Sequence, residues 1–235
     1  MTNKEFVIGI LGGMGTYATI NLFEQYAEIF HANKEWERPR MIIDNRCTMP
    51  SRVQAFLYHQ DEEKLVAQMT DSIKFLVNGG CNHIVLACNT SHLFLPQIIK
   101  NYPEASNYVL NMIDTCTNKI KESGVSTVFL LASEGTIESS IYQRTLDKQQ
   151  IECIVPKTSD YKDLRTCIEA VKQNRYTEDV DKLFVRMANQ YANCILGCTE
   201  LPILYKRNKK DITCSNVFDP VHIILEELKE EYNND

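Results

Sequence analysis

Short apolar runs alternate with longer amphipathic stretches over most of this 235-residue chain. Short apolar runs bounded by glycine or polar residues are typical of buried strands, whereas apolar positions three and four residues apart are typical of helices with one buried face. Their alternation predicts an α/β fold with mainly parallel sheets. The predicted strands are Phe6–Leu11, Arg40–Asp44, His83–Ala87, Tyr108–Met112, Thr127–Ala132, Glu152–Val155 and Cys194–Leu196. The predicted helices are Tyr17–Phe30, Asp61–Asn78, Thr115–Ser123, Glu138–Lys148, Asp160–Gln173, Asp179–Tyr191 and Pro220–Tyr232.

Two segments indicate an internal repeat. Ile8–Thr16 and Val128–Thr136 are each an apolar strand followed by a small-residue loop and a Gly-Thr pair that opens a helix. The Gly-Thr pairs begin at positions 15 and 135, an offset of 120 residues, and Cys88 and Cys198, which both follow predicted strands, lie 110 residues apart. These similar offsets predict two similar lobes that face each other across a cleft. Ligands of parallel sheets collect at the carboxyl ends of the strands, so the cleft is the expected active site.

Two aspartates extend the repeat and set the predicted lobe boundaries. Asp114 and Asp219 each follow a predicted strand end, at the expected position of a helix N-cap. We therefore expect a first α/β lobe of residues 1–114 with 218–235, and a second α/β lobe of residues 115–217. A pseudo-two-fold axis would relate the two lobes.

The charge of the chain restricts its partners. The net charge is −6 and the pI is near 5.5, and the densest basic run, Lys206–Lys210, is short. Nucleic-acid binding needs a concentrated basic surface, so no nucleic-acid partner is expected. The first apolar run ends at Gly12 and is too short for a signal peptide or a membrane span. We therefore expect a cytoplasmic protein without a membrane partner, whose nine cysteines are reduced thiols.

Cys88 and Cys198 stand out among the nine cysteines because their surroundings match. Each ends a strand and is followed closely by a threonine, Thr90 or Thr199. A thiol at that place lies near the amino end of the next helix, whose N–H groups and dipole favour the thiolate. Two thiols on opposite walls of a cleft suit the inversion of a stereocentre, because one removes the Cα proton and the other delivers a proton to the opposite face. The two thiols would titrate as a coupled pair.

An amino-acid substrate must also be held between the two sulfur atoms. Arg52, in a polar loop, and Lys172, at the end of a helix, are candidate anchors for carboxylates and lie 120 residues apart. Side-chain and backbone donors for the carboxylate oxygens are expected from the two glycine loops and the two cysteine motifs. These candidates are Gly12, Gly13, Asn89, Thr90, Gly135, Thr136 and Thr199.

Four motifs, in this order along nearly the whole chain, resemble those of the aspartate/glutamate racemase family. They are Gly12-Gly13-Met14-Gly15 with Ala18-Thr19, Pro50-Ser51-Arg52, Cys88-Asn89-Thr90-Ser91-His92 and Gly197-Cys198-Thr199-Glu200-Leu201-Pro202. The resemblance implies two similar α/β lobes, no pyridoxal phosphate or other cofactor, a two-base mechanism through Cys88 and Cys198, and a homodimer. It implies that Arg52 and Lys172 bind the side-chain carboxylate, as in the aspartate-type branch. Met14 and Glu200 stand in the same motifs and join the candidate substrate-binding residues.

The chain departs from the family pattern at three places. Thr16 stands where proline is usual, Ser51 replaces the more common aspartate before the arginine, and Ala132–Thr136 is a less usual form of the second loop. None of these changes removes a proton-transfer group, so they bear on substrate choice. We expect L- and D-aspartate as the first substrate pair and glutamate as the second.

Other functions remain open on the sequence alone. A dicarboxylate- or amino-acid-binding protein could keep the cleft without catalysis, and related cysteine-dependent isomerases or lyases share such a fold. A Cys-His hydrolase built on Cys88 and His92 would leave the second cysteine motif unexplained. Metal sites drawn from His83, Cys88 and His92, or from Cys194 and Cys198, fit no standard zinc spacing. The C-x-x-C pattern of redox pairs is absent.

Overall fold

The computed structural model describes residues 5–234, whose strands form two parallel sheets. The first sheet has the strand order β2-β1-β3, and the second has the order β5-β4-β6-β7. All the named strand pairs are parallel. The strands are β1 (Val7–Gly12), β2 (Arg40–Asn45), β3 (His83–Leu86), β4 (Thr127–Ala132), β5 (Glu152–Ile154), β6 (Asn193–Gly197) and β7 (Asn216–Phe218). The predicted α/β class is thereby confirmed.

Helices cover both sheets. They are α1 (Thr16–Ile29), α2 (Arg52–Tyr58), α3 (Glu62–Asn78), α4 (Leu95–Asn101), α5 (Met112–Glu122), α6 (Glu134–Glu138), α7 (Ile141–Asp147), α8 (Tyr161–Lys172), α9 (Glu178–Ala188), α10 (Leu201–Asn208) and α11 (Pro220–Asn234). Over residues 5–234, none of them combines the length and the apolar character that crossing a bilayer requires.

The two sheets have the same arrangement of strands. In each, the first strand along the chain is central, the second strand pairs on one side and the third pairs on the other. β7 then extends the second sheet beyond β6, and a single bridge between Ile84 and Val109 occupies the corresponding place beside β3. The internal repeat seen in the sequence is therefore a repeat of strand order, and Cys88 and Cys198 follow equivalent strands.

Each sheet is buried between helices. α3 packs on one face of the first sheet through Leu65 and Met69, and α1 and α11 pack on the other through Leu22 and Ile224. Buried side chains of α5 and of α7 to α10 pack in a cluster around β4 and β6 of the second sheet. The last helix thus returns to the first sheet, as the predicted lobe of residues 1–114 with 218–235 requires. The lobe boundaries themselves stay a prediction.

The strand predicted over Tyr108–Met112 is reduced to a single parallel bridge between Val109 and Ile84, because α5 begins at Met112. The side chain of Asn111 accepts hydrogen bonds from the N–H groups of Ile113 and Asp114, at 3.1 and 3.3 Å, and so caps α5. Asp114 therefore lies inside the first turn and is not the N-cap that we expected. Asp219 fits its expected position better, since its carboxylate accepts from the N–H of Val221 at 3.0 Å.

Two further differences concern helices. The helix predicted over Glu138–Lys148 is two helices, α6 and α7, because Ser140 adopts a left-handed conformation with φ of 55°. The sequence analysis also missed α2, α4 and α10, which have only seven or eight residues each. Helices of two turns show too few apolar repeats for their period to be recognised.

We expect Gly13→Ala to destabilise the protein by more than about 2 kcal/mol, because two penalties coincide. Gly13 has φ of +78°, and a Cβ there would lie 2.3 Å from the backbone carbon of Arg46. Urea unfolding measures the loss. Gly80→Ala is the matched control, because Gly80 has φ of +94° but nothing within 4 Å of an added Cβ. Equal losses at both positions would contradict the steric part of this explanation.

Candidate active site

Cys88 lies at the carboxyl end of β3, where the chain leaves the first sheet. Its backbone is extended, with φ of −164°, and a 3₁₀ helix, Asn89–Phe94, begins directly after it. The N–H of Ser91 donates to the carbonyl of Cys88 at 3.3 Å, which closes the first turn. The Cys88 side chain is half-buried, so its thiol can be reached from the cleft.

His92 supports the Cys88 turn from within the protein. Its Nδ1 donates to the carbonyl oxygens of Cys88 and Asn89 at 3.1 and 3.2 Å, and its Nε2 accepts from the N–H of Met112 at 3.2 Å. Burial lowers the pKa of His92 to about 4, so the ring is neutral at pH 7. Both ring nitrogens are used in backbone hydrogen bonds, which gives His92 a structural role beside the cleft and leaves no nitrogen to act as a base toward Cys88.

Cys198 lies at the equivalent place after β6 and is hydrogen-bonded to a buried acid. Its Sγ donates to Oε2 of Glu200 at 2.9 Å. Burial, and then the carboxylate of Glu200, raise the pKa of Cys198 well above its usual value. The expectation that the following helix would favour the thiolate is therefore wrong for Cys198 in this state, because desolvation and a neighbouring negative charge outweigh a helix dipole.

The two cysteines interact electrostatically although they come from different sheets. Cys88 is among the groups that raise the pKa of the Cys198 thiol, and Lys172 is the group that lowers it. A like charge on Cys88 acts on Cys198 only if the two side chains share one region of low dielectric. The two cysteines therefore lie near each other, and their catalytic role stays a prediction.

Glu200 is almost fully buried, and Gly15, in the loop between β1 and α1, makes room for it. A Cβ on Gly15 would lie 2.3 Å from Oε1 of Glu200. Burial raises the pKa of Glu200, and the positive charge of Lys172 opposes this rise. The absence of a side chain at Gly15 therefore lets an acid from the second sheet reach into the cleft.

The two predicted cations lie on opposite walls. Arg52 begins α2 and donates to the carbonyl oxygens of Pro50 and Met14 at 3.0 and 2.7 Å. Lys172 ends α8, and its Nζ contacts Oε1 of Glu169 at 2.9 Å. Burial alone would lower the pKa of Lys172, but the carboxylates of Glu200 and Glu169 raise it above the usual value. Lys172 therefore remains charged at neutral pH.

A cluster of three hydroxyl groups joins the loops of the two sheets. Oγ1 of Thr90 lies 3.0 Å from Oγ of Ser133 and 2.9 Å from Oγ1 of Thr136, and the latter two oxygens are 3.2 Å apart. Each pair can exchange donor and acceptor. The cluster brings together Thr90 and Thr136, which the sequence analysis proposed, with Ser133, which belongs to one of the unusual loops.

Two further hydrogen bonds cross the cleft. The hydroxyl of Tyr142, on α7, donates to Oδ1 of Asn89 at 2.6 Å, and the hydroxyl of Thr199 donates to the carbonyl of Ala87 at 3.2 Å. Tyr142 is fully buried and carries no motif, so the sequence analysis missed it. Asn89 and Thr199 thus hold the two cysteine turns against the opposite sheet.

Three polar atoms in this region are buried without a hydrogen-bond partner among residues 5–234. They are Oε1 of Glu200, Nε of Arg52 and Nδ2 of Asn89. Buried polar groups are nearly always paired in proteins, so these three atoms, one acceptor and two donors, can each take a further polar partner.

The glycine loop is used differently from what we expected. The N–H of Gly13 donates to the hydroxyl of Thr19 at 3.1 Å, so it is already occupied and does not face a ligand. Met14 is buried, and its sulfur accepts from the hydroxyl of Ser91 at 2.7 Å. Its carbonyl also orients Arg52. Gly13 and Met14 therefore support the site through the backbone and through Arg52.

All three departures have visible partners, and Ser133 of the second loop belongs to the hydroxyl cluster described above. Ser51 caps α2 by accepting from the N–H of Gln54 at 3.3 Å, a role that aspartate fills equally well. The hydroxyl of Thr16 lies 3.2 Å from the sulfur of Cys47, an exposed cysteine after β2.

A pocket of 340 Å³ opens between α2 and α8, next to Lys172. Its walls mix polar and apolar side chains, and an ion pair of Arg165 with Glu134 lies at its edge. The side chains that line it include Ser51, Leu57, Ser133, Ile137, Leu164 and Lys172. Neither cysteine lines this pocket, so it adjoins the candidate site and does not include it.

The histidines considered as metal ligands have other contacts. His83 lies between Asn82 and Glu231, at 2.9 Å from each, and its ring stacks on Phe6. In the described part of the chain, no cluster of three or more His, Cys, Asp or Glu side chains has a geometry suited to a metal ion.

Comparison with known proteins agrees with this geometry. Residues 11–228 match the family model described as Asp/Glu/Hydantoin racemase. The broad specificity amino-acid racemase RacX of Bacillus subtilis (strain 168) is 26% identical over 203 residues, which cover 83% of this chain and 86% of RacX.

Two solved structures share the fold over nearly their whole length. The aspartate racemase of Picrophilus torridus has a TM-score of 0.83 and 26% identity, with 97% of this chain and 94% of that chain covered. An aspartate racemase homologue from Pyrococcus horikoshii OT3 has a TM-score of 0.76 and 26% identity, with 98% and 99% covered.

The two matching sheets, with a cysteine after an equivalent strand in each, define a two-lobed α/β racemase. The chain belongs to the Asp/Glu/hydantoin racemase family. The predicted enzyme class, an amino-acid racemase, is thereby confirmed.

Proposed function

We propose that the protein interconverts L- and D-aspartate, with Cys88 and Cys198 as the two proton-transfer groups. The observation that carries this proposal is the Cys198 thiol, which donates to Glu200 and interacts electrostatically with Cys88 from the equivalent strand of the other sheet. Aspartate racemase from Picrophilus torridus, with the same fold over 97% of this chain, supports the choice of substrate. A homodimer and a cytoplasmic location stay predictions.

The two cysteines have different roles for each enantiomer. Burial and the Glu200 carboxylate raise the pKa of Cys198, so we assign Cys198 as the proton donor and Cys88 as the group that removes the Cα proton of one enantiomer. The proton from Cys198 then reaches the opposite face of Cα. For the other enantiomer the roles exchange: Cys198 removes the Cα proton, and Cys88 returns a proton to the opposite face.

The charged groups of the substrate match the unpaired groups of the site. Oε1 of Glu200 can accept from the α-ammonium group, and Nδ2 of Asn89 can donate to the α-carboxylate. Arg52 and Lys172 then face the side-chain carboxylate from the two walls. Such fixed charges stabilise the negative charge that develops on the substrate when Cα loses its proton.

Exchange of the Cα proton in heavy water tests the proposal. Purified protein is incubated separately with L- and D-aspartate, and chiral chromatography with mass spectrometry follows the isotope and the configuration together. Deuterium should enter Cα, and both incubations should end at the racemate. Tight binding of aspartate without exchange would instead identify a binding protein, and a carbon–carbon or amide cleavage product would identify a lyase or a hydrolase.

The pocket beside Lys172 favours a second candidate, a racemase that accepts longer amino acids. At 340 Å³ the pocket is larger than the side chain of aspartate needs, and its ion pair leaves its walls nearly neutral. The broad specificity of RacX, as its name states, supports this alternative. Glutamate, glutamine, methionine and leucine, tested beside aspartate in the exchange assay, separate the two candidates.

If longer side chains enter this pocket, Leu57→Trp should lower kcat/KM for leucine and methionine by at least about tenfold and leave aspartate nearly unchanged. Leu57 lines the pocket from α2, and the indole ring of tryptophan at this position would fill the space that a long substrate side chain needs. Leu57→Ala, which enlarges the same wall, is the matched control. A uniform loss for all substrates in Leu57→Trp would show that the change acts on the fold and not on the pocket.

A further inference from the structure

Two cysteines outside the catalytic pair are in direct contact. Sγ of Cys194, near the start of β6, lies 3.6 Å from Sγ of Cys214, in the segment that leads into β7. Cys194 is fully buried, whereas Cys214 is half-buried and so reachable from solvent. The proposed racemase mechanism uses neither of them.

The backbone around the pair keeps the two sulfur atoms together. The N–H groups of Ser215 and Asn216 donate to the carbonyl of Ala192 at 2.6 and 3.1 Å, which ties the Cys214 segment to the start of β6. β6 itself is held on both sides, by β4 and β7. The Cys214 segment, by contrast, lies in an irregular stretch after α10, so it is the part that can move by the small distance that a covalent bond needs.

The contact also prepares one sulfur for reaction. The hydrogen bond from the Cys194 thiol lowers the pKa of Cys214 below its usual value, and the same bond, with burial, raises the pKa of Cys194. The more exposed sulfur therefore has the greater thiolate character. Thiolate character and access to solvent are the two properties that make a cysteine reactive toward oxidants.

We propose that Cys194 and Cys214 form a peroxide-reactive thiol pair whose product is an intrachain disulfide. The Cys214 thiolate attacks hydrogen peroxide, so an S–O bond forms, the O–O bond breaks, and the leaving hydroxide takes up a proton to become water. The sulfur of Cys194 then attacks that of Cys214. The S–S bond forms, the S–O bond breaks, and a second water leaves. The two sulfur atoms together lose two electrons, which the peroxide gains.

The disulfide would enclose the segment that carries half of the active site. Cys198, Glu200 and all of α10 lie between positions 194 and 214. Closing this loop covalently restricts the unfolded chain and opposes local opening of the segment around Cys198. The pair would thus hold the Cys198 side of the site in place under oxidising conditions.

Mass spectrometry of the full-length protein tests the proposal. Reduced protein is treated with hydrogen peroxide, denatured, alkylated and digested with chymotrypsin, which cleaves after Tyr191, Leu196 and Phe218 and so separates Cys194 from Cys198. We expect a linked pair of peptides that contains Cys194 and Cys214 and that disappears after reduction. The linkage should be absent in Cys214→Ser and in Cys194→Ala, and should persist in Cys47→Ser, which removes a more exposed thiol.

The melting temperature measures whether the disulfide restrains the segment around Cys198. The oxidised wild-type protein should melt roughly 5–10 °C above the reduced protein, and Cys214→Ser should show no such rise. Peroxide treatment that leaves Cys194 fully alkylated, or that links Cys214 to another cysteine, would overturn the proposed pair. An unchanged melting temperature of the linked protein would overturn the proposed restraint. Neither measurement involves a substrate, so both are independent of the racemase assay.

Discussion

Replacing either Cys88 or Cys198 with alanine is expected to slow inversion of aspartate by at least about a thousandfold, because each removes one of two proton-transfer groups. The two variants should also differ from each other. The cysteine that remains can still remove and return a proton on its own face of Cα. Deuterium should therefore enter one enantiomer in Cys88→Ala and the other enantiomer in Cys198→Ala, with configuration retained in both.

The measurement is isotope uptake by L- and D-aspartate, separately, in each variant. Cys47→Ala is the control, since it removes an exposed thiol that contacts Thr16 and Asn45 and plays no part in the proposed mechanism. Thermal melting of all three variants checks that they fold. Full inversion by Cys198→Ala, or exchange of the same enantiomer in both variants, would refute a mechanism with two opposed cysteines.

Glu200→Gln should move the alkaline limb of the pH profile of kcat/KM to lower pH by roughly one to two units. The active form of the cysteine pair carries one proton, and the alkaline limb reports the loss of that proton. In our proposal the proton is on Cys198, whose pKa is raised by burial and by the Glu200 carboxylate. Glutamine keeps the shape but not the charge, so the thiol gives up its proton at a lower pH.

Initial rates with L-aspartate across the alkaline range measure this shift. D-aspartate must give the same profile. The two enantiomers are equally stable, so their equilibrium constant is one, and the ratio of their kcat/KM values must be one at every pH. Glu134→Gln is the matched control, because Glu134 pairs with Arg165 at the edge of the pocket and is not among the groups that shift the pKa of Cys198. An alkaline limb that stays in place in Glu200→Gln would mean that the Glu200 carboxylate does not raise the pKa of the Cys198 thiol.

Most strands of the two sheets could be predicted, because a strand that is buried on both faces has a continuous run of apolar residues. β1, β3, β4 and β6 begin or end within one or two residues of the prediction. β7 has only three residues, so the pattern indicated it as a strand end before Asp219 and not as a strand. At Tyr108–Met112 the apolar run forms only one bridge to β3, at Val109, because the capping side chain of Asn111 starts a helix at Met112.

The active site could be predicted where it depends on position along the chain. Cys88 and Cys198 follow strands, and the topology brings the ends of equivalent strands to one cleft. The contact of Cys198 with Glu200 could not be predicted, since it depends on the space beside Gly15, at the start of α1. Tyr142 was missed for the same reason, because its bond to Asn89 joins elements that are far apart in sequence.

The ring of hydroxyls formed by Thr90, Ser133 and Thr136 bears on a difficulty that every racemase meets. The same groups must bind both enantiomers, whose Cα–H bonds point toward opposite cysteines in our proposal. A backbone N–H points in one fixed direction, but a hydroxyl turns about its C–O bond and can either donate or accept a hydrogen bond. The three hydroxyls can reverse the direction of their hydrogen bonds together without losing a bond between them. We therefore propose that this cluster adjusts to either enantiomer without any movement of the main chain.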